Sequence, residues 1–109
     1  MDSGRSLNVV KAELFKGLAH PVRIRILELL DEGGELGVTR LIAETGLEAS
    51  HVSQHLRVLR GYDLVTSERR GSEVFYRLAH EGVTELLAAA RTLLREVLAA
   101  RHAMVAAAE

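Results

Sequence analysis

Residues 38–60, VTRLIAETGLEASHVSQHLRVLR, decide the fold, because they have the pattern of two short helices joined by a turn at Gly46. Glycine adopts the positive φ that a tight turn between helices requires. In the second helix, Val52, Leu56 and Leu59 recur at helical spacing and are predicted to face inward. The stretch is therefore predicted to be a helix-turn-helix.

The opposite face of the second helix carries hydrogen-bonding side chains and no acidic one. Short hydroxyls, an amide and an arginine on one helix face suit the base edges of a DNA major groove. We interpret this helix as a reading helix for sequence-specific binding to double-stranded DNA. Its predicted DNA-contacting residues are Ser50, His51, Ser53, Gln54 and Arg57.

The composition predicts one helical domain over residues 1–109. Hydrophobic residues make up 48% of the chain and aromatic residues only 4%, which favours an aliphatic core between packed helices. The absence of cysteine excludes disulfides and thiolate metal sites. We find neither a signal peptide nor an apolar run of membrane length, and we expect a cytoplasmic protein with no membrane partner. We find no catalytic motif and do not expect an enzyme.

The charge distribution permits binding to DNA without requiring it. The formal net charge is −1. Residues 49–78 nevertheless carry five Lys and Arg against three Asp and Glu. In each of the two flanking segments, Asp and Glu outnumber Lys and Arg. The only positive segment therefore contains the predicted reading helix and the residues that follow it.

Two helices are predicted before the helix-turn-helix, after a mobile tail at residues 1–6. Residues 7–19 have an apolar face and are predicted to form the first helix. Pro21 interrupts the pattern and opens the next helix, where its missing N–H costs nothing. That second helix is apolar over much of its surface, so we expect it to be the central helix of the core.

A β-hairpin is predicted after the reading helix. Residues 64–78 form two β-favouring runs around Gly71, with Arg69 and Arg70 beside the tip. A hairpin that follows a helix-turn-helix is a wing, and a basic wing tip would contact phosphates or the minor groove. The alternative is a solvated hairpin with two ordinary arginines.

A long amphipathic helix is predicted over residues 80–105, with fraying in the alanine-rich part from Ala99. Too little of the chain remains to cover its apolar stripe, so we expect a second copy to cover it. The predicted homodimer joins through the first helix, residues 7–19, and this last helix. Two reading helices related by a two-fold axis would reach half-sites about 34 Å apart on DNA.

Three motifs together resemble the ArsR/SmtB family of winged-helix transcriptional regulators. They are ELFKGLAHPVRIRILELL, LIAETGLEASHVSQHLRVLRGYDLV and the strand end VFYRL. The resemblance implies a mainly α-helical winged helix-turn-helix with a small β-hairpin, in the order ααααββα. It also implies a homodimer that binds a palindromic operator, commonly as a repressor, and often leaves it when a metal binds. By position it assigns DNA contacts to Ser50, Ser53 and Gln54, supported by His51 and Arg57.

The chain departs from the family at its metal sites. Gly37 and Thr39 stand where many members have a Cys-x-Cys pair, so the thiolate site is absent. Other members bind metal through four positions of the last helix in two copies. The corresponding residues here are His80, Gly82, Leu93 and Glu96, of which two can be ligands.

His80 and Glu96 therefore form the candidate metal pair. Two hypotheses about how DNA binding is controlled remain open. Nitrogen and oxygen donors suit Ni²⁺, Zn²⁺ or Co²⁺ better than soft ions. The composition is similar to that of nickel-responsive members, which favours metal control. The alternative is a metal-independent DNA-binding module whose signal comes from a protein co-regulator docking on the last helix.

Overall fold

The computed structural model describes residues 6–108, which form a winged helix-turn-helix. The three strands make one antiparallel sheet in the order β1-β3-β2, and the β2–β3 hairpin is the wing. The predicted fold class is confirmed. The elements are α1 (Leu7–Leu18), α2 (Pro21–Gly33), β1 (Glu35–Gly37), α3 (Val38–Thr45), α4 (Ala49–Gly61), β2 (Val65–Arg70), β3 (Glu73–Leu78) and α5 (Glu81–Ala108).

The first two helices begin where side chains satisfy their free amides. The Ser6 hydroxyl accepts a hydrogen bond from the Val9 amide at 3.3 Å and caps α1. Of the tail predicted at residues 1–6, all but this serine lies outside the described residues. The His20 imidazole accepts from the Val22 amide at 3.1 Å, and Pro21 occupies the first turn of α2.

The core is aliphatic, as the composition predicts, and it centres on α2, as the apolar surface of that helix predicts. Leu is the commonest residue in it. The core side chains come from α2, both helices of the helix-turn-helix, the start of β2 with the residue before it, and the first turns of α5. No described helix combines the length and apolar composition needed to cross a bilayer. The buried core residues are Ile26, Leu27, Leu29, Leu30, Leu41, Val52, Leu56, Leu59, Leu64, Val65, Val83 and Leu87.

The turn between α3 and α4 forms at the predicted glycine. Gly46 has φ 70° and ψ 11°, the left-handed conformation, and its amide donates to the Ile42 carbonyl at 3.0 Å. The Thr45 hydroxyl donates to the Leu41 carbonyl at 2.8 Å. These contacts end α3 within two turns and turn the chain so that α4 begins at Ala49.

The structure differs from the sequence-based expectation at two elements. Residues 35–37 form a third strand, β1, which adds to the edge of the wing by pairing with β3. A three-residue strand is too short for alternation to reveal it, so the order ααααββα lacked it. The last helix extends to Ala108, beyond the predicted end at residue 105, in keeping with the high helix propensity of alanine.

Candidate nucleic-acid interface

Helix α4 has one face in the core and the other exposed to solvent. Val52, Leu56 and Leu59 are at most 1% exposed, which confirms the predicted inward stripe. A helix anchored by three buried side chains holds its opposite face in a defined orientation. The five residues predicted to contact DNA, Ser50, His51, Ser53, Gln54 and Arg57, are all exposed on that opposite side.

These exposed side chains are available to an external partner. Within residues 6–108, the side chains of Ser50, Ser53, Gln54 and Arg57 make no hydrogen bond or ion pair. Together they offer hydroxyl and amide groups that both donate and accept, and one guanidinium that donates. Base edges in a major groove present the complementary mixture of donors and acceptors.

The two wing arginines have different surroundings. Arg70 donates two hydrogen bonds to the Glu35 carboxylate, at 2.7 and 2.9 Å, and a third to Glu68 at 2.7 Å. These bonds raise the pKa of Arg70 above its ordinary value, and the Arg70 bond lowers the pKa of Glu35. The predicted phosphate contact by Arg70 is therefore disfavoured, because its guanidinium is already occupied by two carboxylates.

Arg69 is the wing arginine that remains available. It is exposed and has no ion pair with any residue of the described chain. Because side chains alternate along a strand, Arg69 lies on the same face as Ser67 and on the opposite face from Arg70. Ser67 accepts a hydrogen bond from Arg60 of α4 at 3.2 Å. Arg69 therefore lies on the face of the wing that is turned towards α4.

Arg60 is a candidate interface residue that the sequence-based prediction did not include. It is exposed at the end of α4 and continues the row of Ser53 and Arg57 at helical spacing. That spacing was a usable signal. Its contact with Ser67 lies beyond any local pattern, because β2 reaches α4 only in the folded chain.

A pair of stacked histidines joins α4 to the start of α2. The rings of His20 and His55 have centroids 4.3 Å apart and are tilted by 49°. The Nδ1 atom of His55 is buried without a hydrogen-bond partner in the described structure. Burial lowers the pKa of His55, and the nearby charges of His20, Arg23 and His51 lower it further. The neutral form of His55 is therefore favoured at this contact between α4 and the start of α2.

His80 and Glu96, the candidate metal pair, are both exposed and do not meet within one chain. His80 precedes α5 and Glu96 lies on it, about 24 Å further along the axis at a rise of about 1.5 Å per residue. Among the described residues, no three His, Asp or Glu side chains come close enough to hold a metal ion.

The residues at the family's metal positions therefore do not fit such an ion. Two copies of the chain would bring only one imidazole and one carboxylate to each shared site, because Gly82 has no side chain and Leu93 is aliphatic. A protein metal site normally uses three or four ligands.

The buried stripe of α4, its exposed polar face and the wing beside it define the class of protein, a DNA-binding winged helix-turn-helix. The family model for bacterial regulatory proteins of the arsR family matches residues 20–67. The HTH-type transcriptional regulator Rv0081 of Mycobacterium tuberculosis is 47% identical over 96 residues, 88% of this chain and 84% of the relative. This protein belongs to the ArsR family of transcriptional regulators.

Solved structures support the same assignment. The crystal structure of Rv0081 matches with a TM-score of 0.83 and covers 89% of this chain and 97% of that one. A homodimeric winged helix-turn-helix DNA-binding domain of Mycobacterium bovis, solved by NMR, is 32% identical, with a TM-score of 0.77 and 88% of each chain covered. The crystal structure of the transcriptional repressor PagR of Bacillus anthracis is 35% identical, with a TM-score of 0.65 and 72% of this chain and 90% of that one covered.

Proposed function

We propose that this protein is a homodimeric regulator that reads a palindromic operator through α4. The observation that carries the proposal is the exposed face of α4, where Ser50, Ser53, Gln54 and Arg57 have no partner within residues 6–108. A polar helix face without an acidic group, held by a fully buried opposite stripe, matches the requirements of major-groove readout. No part of this role requires catalysis, and a DNA-binding regulator of this kind acts in the cytoplasm.

Dimerisation follows from apolar surface that the chain leaves uncovered. A groove of about 340 Å³ between α1, α2 and α5 is lined largely by aliphatic side chains and by Phe15. Contiguous apolar surface of this kind marks an interaction site, and the M. bovis relative is a homodimer. The exposed apolar residues on these helices are Leu7, Val9, Leu14, Phe15, Ile24, Leu93, Leu94, Val97, Leu98, Met104 and Val105.

The wing adds a second contact with the duplex. Arg69, exposed on the same wing face as Ser67, is the side chain that we assign to phosphate or the minor groove. Two-fold symmetry would then set the two copies of α4 in successive major grooves about 34 Å apart, with one wing on the backbone beside each groove. Symmetric half-sites are the natural target of such a dimer.

Replacing Ser53 and Gln54 together by alanine tests the reading helix. We expect the double variant to lose its preference for a duplex selected by the wild-type protein from random sequences, relative to a scrambled duplex. A bidentate base contact such as Gln54 can make contributes about 1–3 kcal/mol of discrimination, so the preference is expected to fall by about fivefold or more. Fluorescence anisotropy with both duplexes measures it.

The matched control for this experiment is Glu32→Gln, an exposed polar change at the end of α2. It is expected to leave the preference for the selected duplex unchanged, because the loss of one surface charge affects binding to both duplexes alike. Unchanged sequence preference in the Ser53→Ala, Gln54→Ala variant, with its circular dichroism preserved, would remove α4 from the role of reading helix.

For control of binding, we propose that DNA binding does not depend on a metal held by His80 and Glu96. The incomplete donor set supports this choice, because Gly82 and Leu93 cannot be ligands. The choice favours the second hypothesis, in which a protein co-regulator supplies the signal on α5.

Calorimetry with Ni²⁺ and with Zn²⁺ tests the metal hypothesis directly. We expect the wild type and His80→Ala to give the same heats and the same affinity for the selected duplex with and without metal. A binding heat that His80→Ala abolishes, together with metal-dependent release of DNA, would instead establish His80 as a metal ligand.

A further inference from the structure

The tip of the wing is tied to the helix-turn-helix by the two residues that flank its turn. Arg70 ends β2 and Glu73 begins β3, and they are paired across the hairpin. The side chains of both residues also form bonds to groups outside the hairpin. Arg70 bonds to Glu35 in β1, and Glu73 bonds to the backbone of Thr39 in α3. Both contacts therefore end at the junction where β1 passes directly into α3.

Arg70 spans the sheet to reach this junction. In the strand order β1-β3-β2, the strand β3 separates Arg70 from Glu35. The guanidinium crosses it over Phe75, with its central carbon 4.8 Å from the ring centroid. Both of its terminal nitrogens then bond to the two carboxylate oxygens of Glu35. A two-point contact of this kind fixes direction as well as distance, which a single exposed ion pair does not.

Glu73 supplies the cap that α3 lacks. The residue at the N-cap position is Gly37, which has no side chain to accept a bond from the first turn. The Glu73 carboxylate accepts that bond from the Thr39 amide at 3.2 Å and places a negative charge at the positive end of the helix. A Cβ at Gly37 would collide with this carboxylate. The glycine thus makes room for a cap that comes from the wing.

We propose that Glu35, Arg70 and Glu73 are positioning residues for DNA binding, which hold the wing at a set angle to the helix-turn-helix. The proposal rests on the proposed function. These three residues form a clamp that joins β2 and β3 to the start of α3, and α3 packs against α4. The clamp sets where Arg69 meets the duplex when α4 is in its groove. Arg70 acts through Glu35 and not on phosphate.

Removal of Glu35 separates this role from direct phosphate contact by Arg70, because the two predict opposite signs. If Arg70 bound phosphate, Glu35→Ala would release it and delete a negative charge, and DNA affinity would rise. In the clamp, the same change frees the wing, the Arg69 contact is lost, and affinity falls. We expect a weakening of about fivefold, with a shallower dependence of affinity on salt because fewer phosphates are contacted.

Glu68→Ala is the matched control. It removes the same charge from the same arginine, whose bond to Glu68 is 2.7 Å long. Glu68 and Arg70 lie on the same strand, however, so this bond does not join the wing to α3. We expect Glu68→Ala to bind the duplex as tightly as wild type or more tightly. Glu35→Ala with Arg70→Ala is expected to weaken binding no more than either change alone.

Glu73 gives a second, independent arm of the test. Glu73→Gln keeps an oxygen that accepts from Thr39, whereas Glu73→Ala removes it. Affinity is expected to fall in the order wild type, Glu73→Gln, Glu73→Ala. A surface carboxylate without a positioning role would make both variants bind equally, and more tightly than wild type, because each removes the same charge and lowers repulsion of DNA.

The measurement is anisotropy with the selected duplex at several salt concentrations, on variants whose circular dichroism and unfolding midpoint show that they fold. Glu35→Gln replaces Glu35→Ala if the alanine variant does not fold. Binding by wild type, with Glu35 and Glu73 variants as tight or tighter, would overturn the clamp alone. Absence of DNA binding by wild type would overturn the proposed function, and the clamp's role in binding with it.

Discussion

Helices α4 and α5 have the same kind of amphipathic sequence, yet the chain covers only one of them. In α4, Val52, Leu56 and Leu59 are almost completely buried by α2, α3 and β2. In α5, only the first turns reach the core, through Val83 and Leu87. Every residue from 88 to 108 is exposed.

The difference shows that two helices with a similar apolar periodicity can have their apolar faces covered in different ways. The apolar stripe of α4 is buried within its own chain, and the opposite, polar face of the helix stays exposed. The apolar stripe of α5 continues for several turns past the core, with Leu93 61% exposed and Leu94 57% exposed. An aliphatic surface of that length is stable in water when another surface covers it, and a second copy of the chain offers the same apolar face.

The largest effect is expected from Leu56→Ala in α4. The side chain is 1% exposed, so its truncation leaves a cavity that the surrounding helices fill only in part. We expect a loss of about 3 kcal/mol in the free energy of unfolding, measured by urea denaturation. The comparison is Leu94→Ala in α5, measured at a protein concentration low enough that wild type and both variants sediment as monomers. It should cost less than half as much, because Leu94 is 57% exposed within one chain. Equal losses would remove the distinction between the two helices.

A second prediction concerns Leu94→Glu, which places a charge in the uncovered stripe of α5. We expect the dimer to dissociate, because an unpaired carboxylate would be buried between the copies. Affinity for a palindromic duplex should fall by about a hundredfold, since one reading helix loses the avidity of two. Sedimentation and anisotropy measure the two effects.

Ala99→Glu provides the control for that prediction. Ala99 is exposed, does not line the groove between α1, α2 and α5, and lies more than about 100° around the helix from Leu93 and Leu94. The variant adds the same charge to the same helix on another face and should stay dimeric. If Leu94→Glu sediments as wild type does, α5 does not form the interface.

The smallest effect is expected at the joint between α4 and α2, where His55 stacks on His20. Burial lowers the pKa of His55 in the folded chain, so the unfolded chain, with a pKa of about 6.5, takes up the proton first as the pH falls. The stability that His55 contributes is therefore complete above about pH 6.5 and is lost as the pH falls from there towards the folded-state pKa. Urea denaturation across this range is expected to show the decline.

Two variants identify His55 as the group responsible. His55→Leu should lose less stability than wild type over the same pH interval, because it has no proton to bind. His102→Asn, at an exposed histidine of α5, should decline as wild type does. A decline of equal size in wild type and His55→Leu would place the titrating group elsewhere.

Much of the site was predictable because its signals are local. The turn at Gly46 depends on one glycine, and the outward face of α4 depends on spacing within thirteen residues. Each needs only the geometry of a single helix or turn. The chain order of the helices and the hairpin around Gly71 followed from similar short patterns.

The surroundings of the wing arginines were not predictable in this way. Arg69 and Arg70 are neighbours in sequence with the same chemistry, and alternation puts them on opposite faces of the sheet. Arg70 then meets Glu35, a residue 35 positions away, on a strand too short to be recognised. The contact of Glu73 with Thr39 spans 34 positions.

The sequence by itself determined the helix-turn-helix, the aliphatic core and the polar face of α4, since each arises from periodicity along one element. Only the tertiary structure decided which charged groups are available, because ion pairs depend on the approach of elements that are distant in the chain. It assigned Arg70 to Glu35, stacked His55 on His20, and left the far half of α5 without a cover.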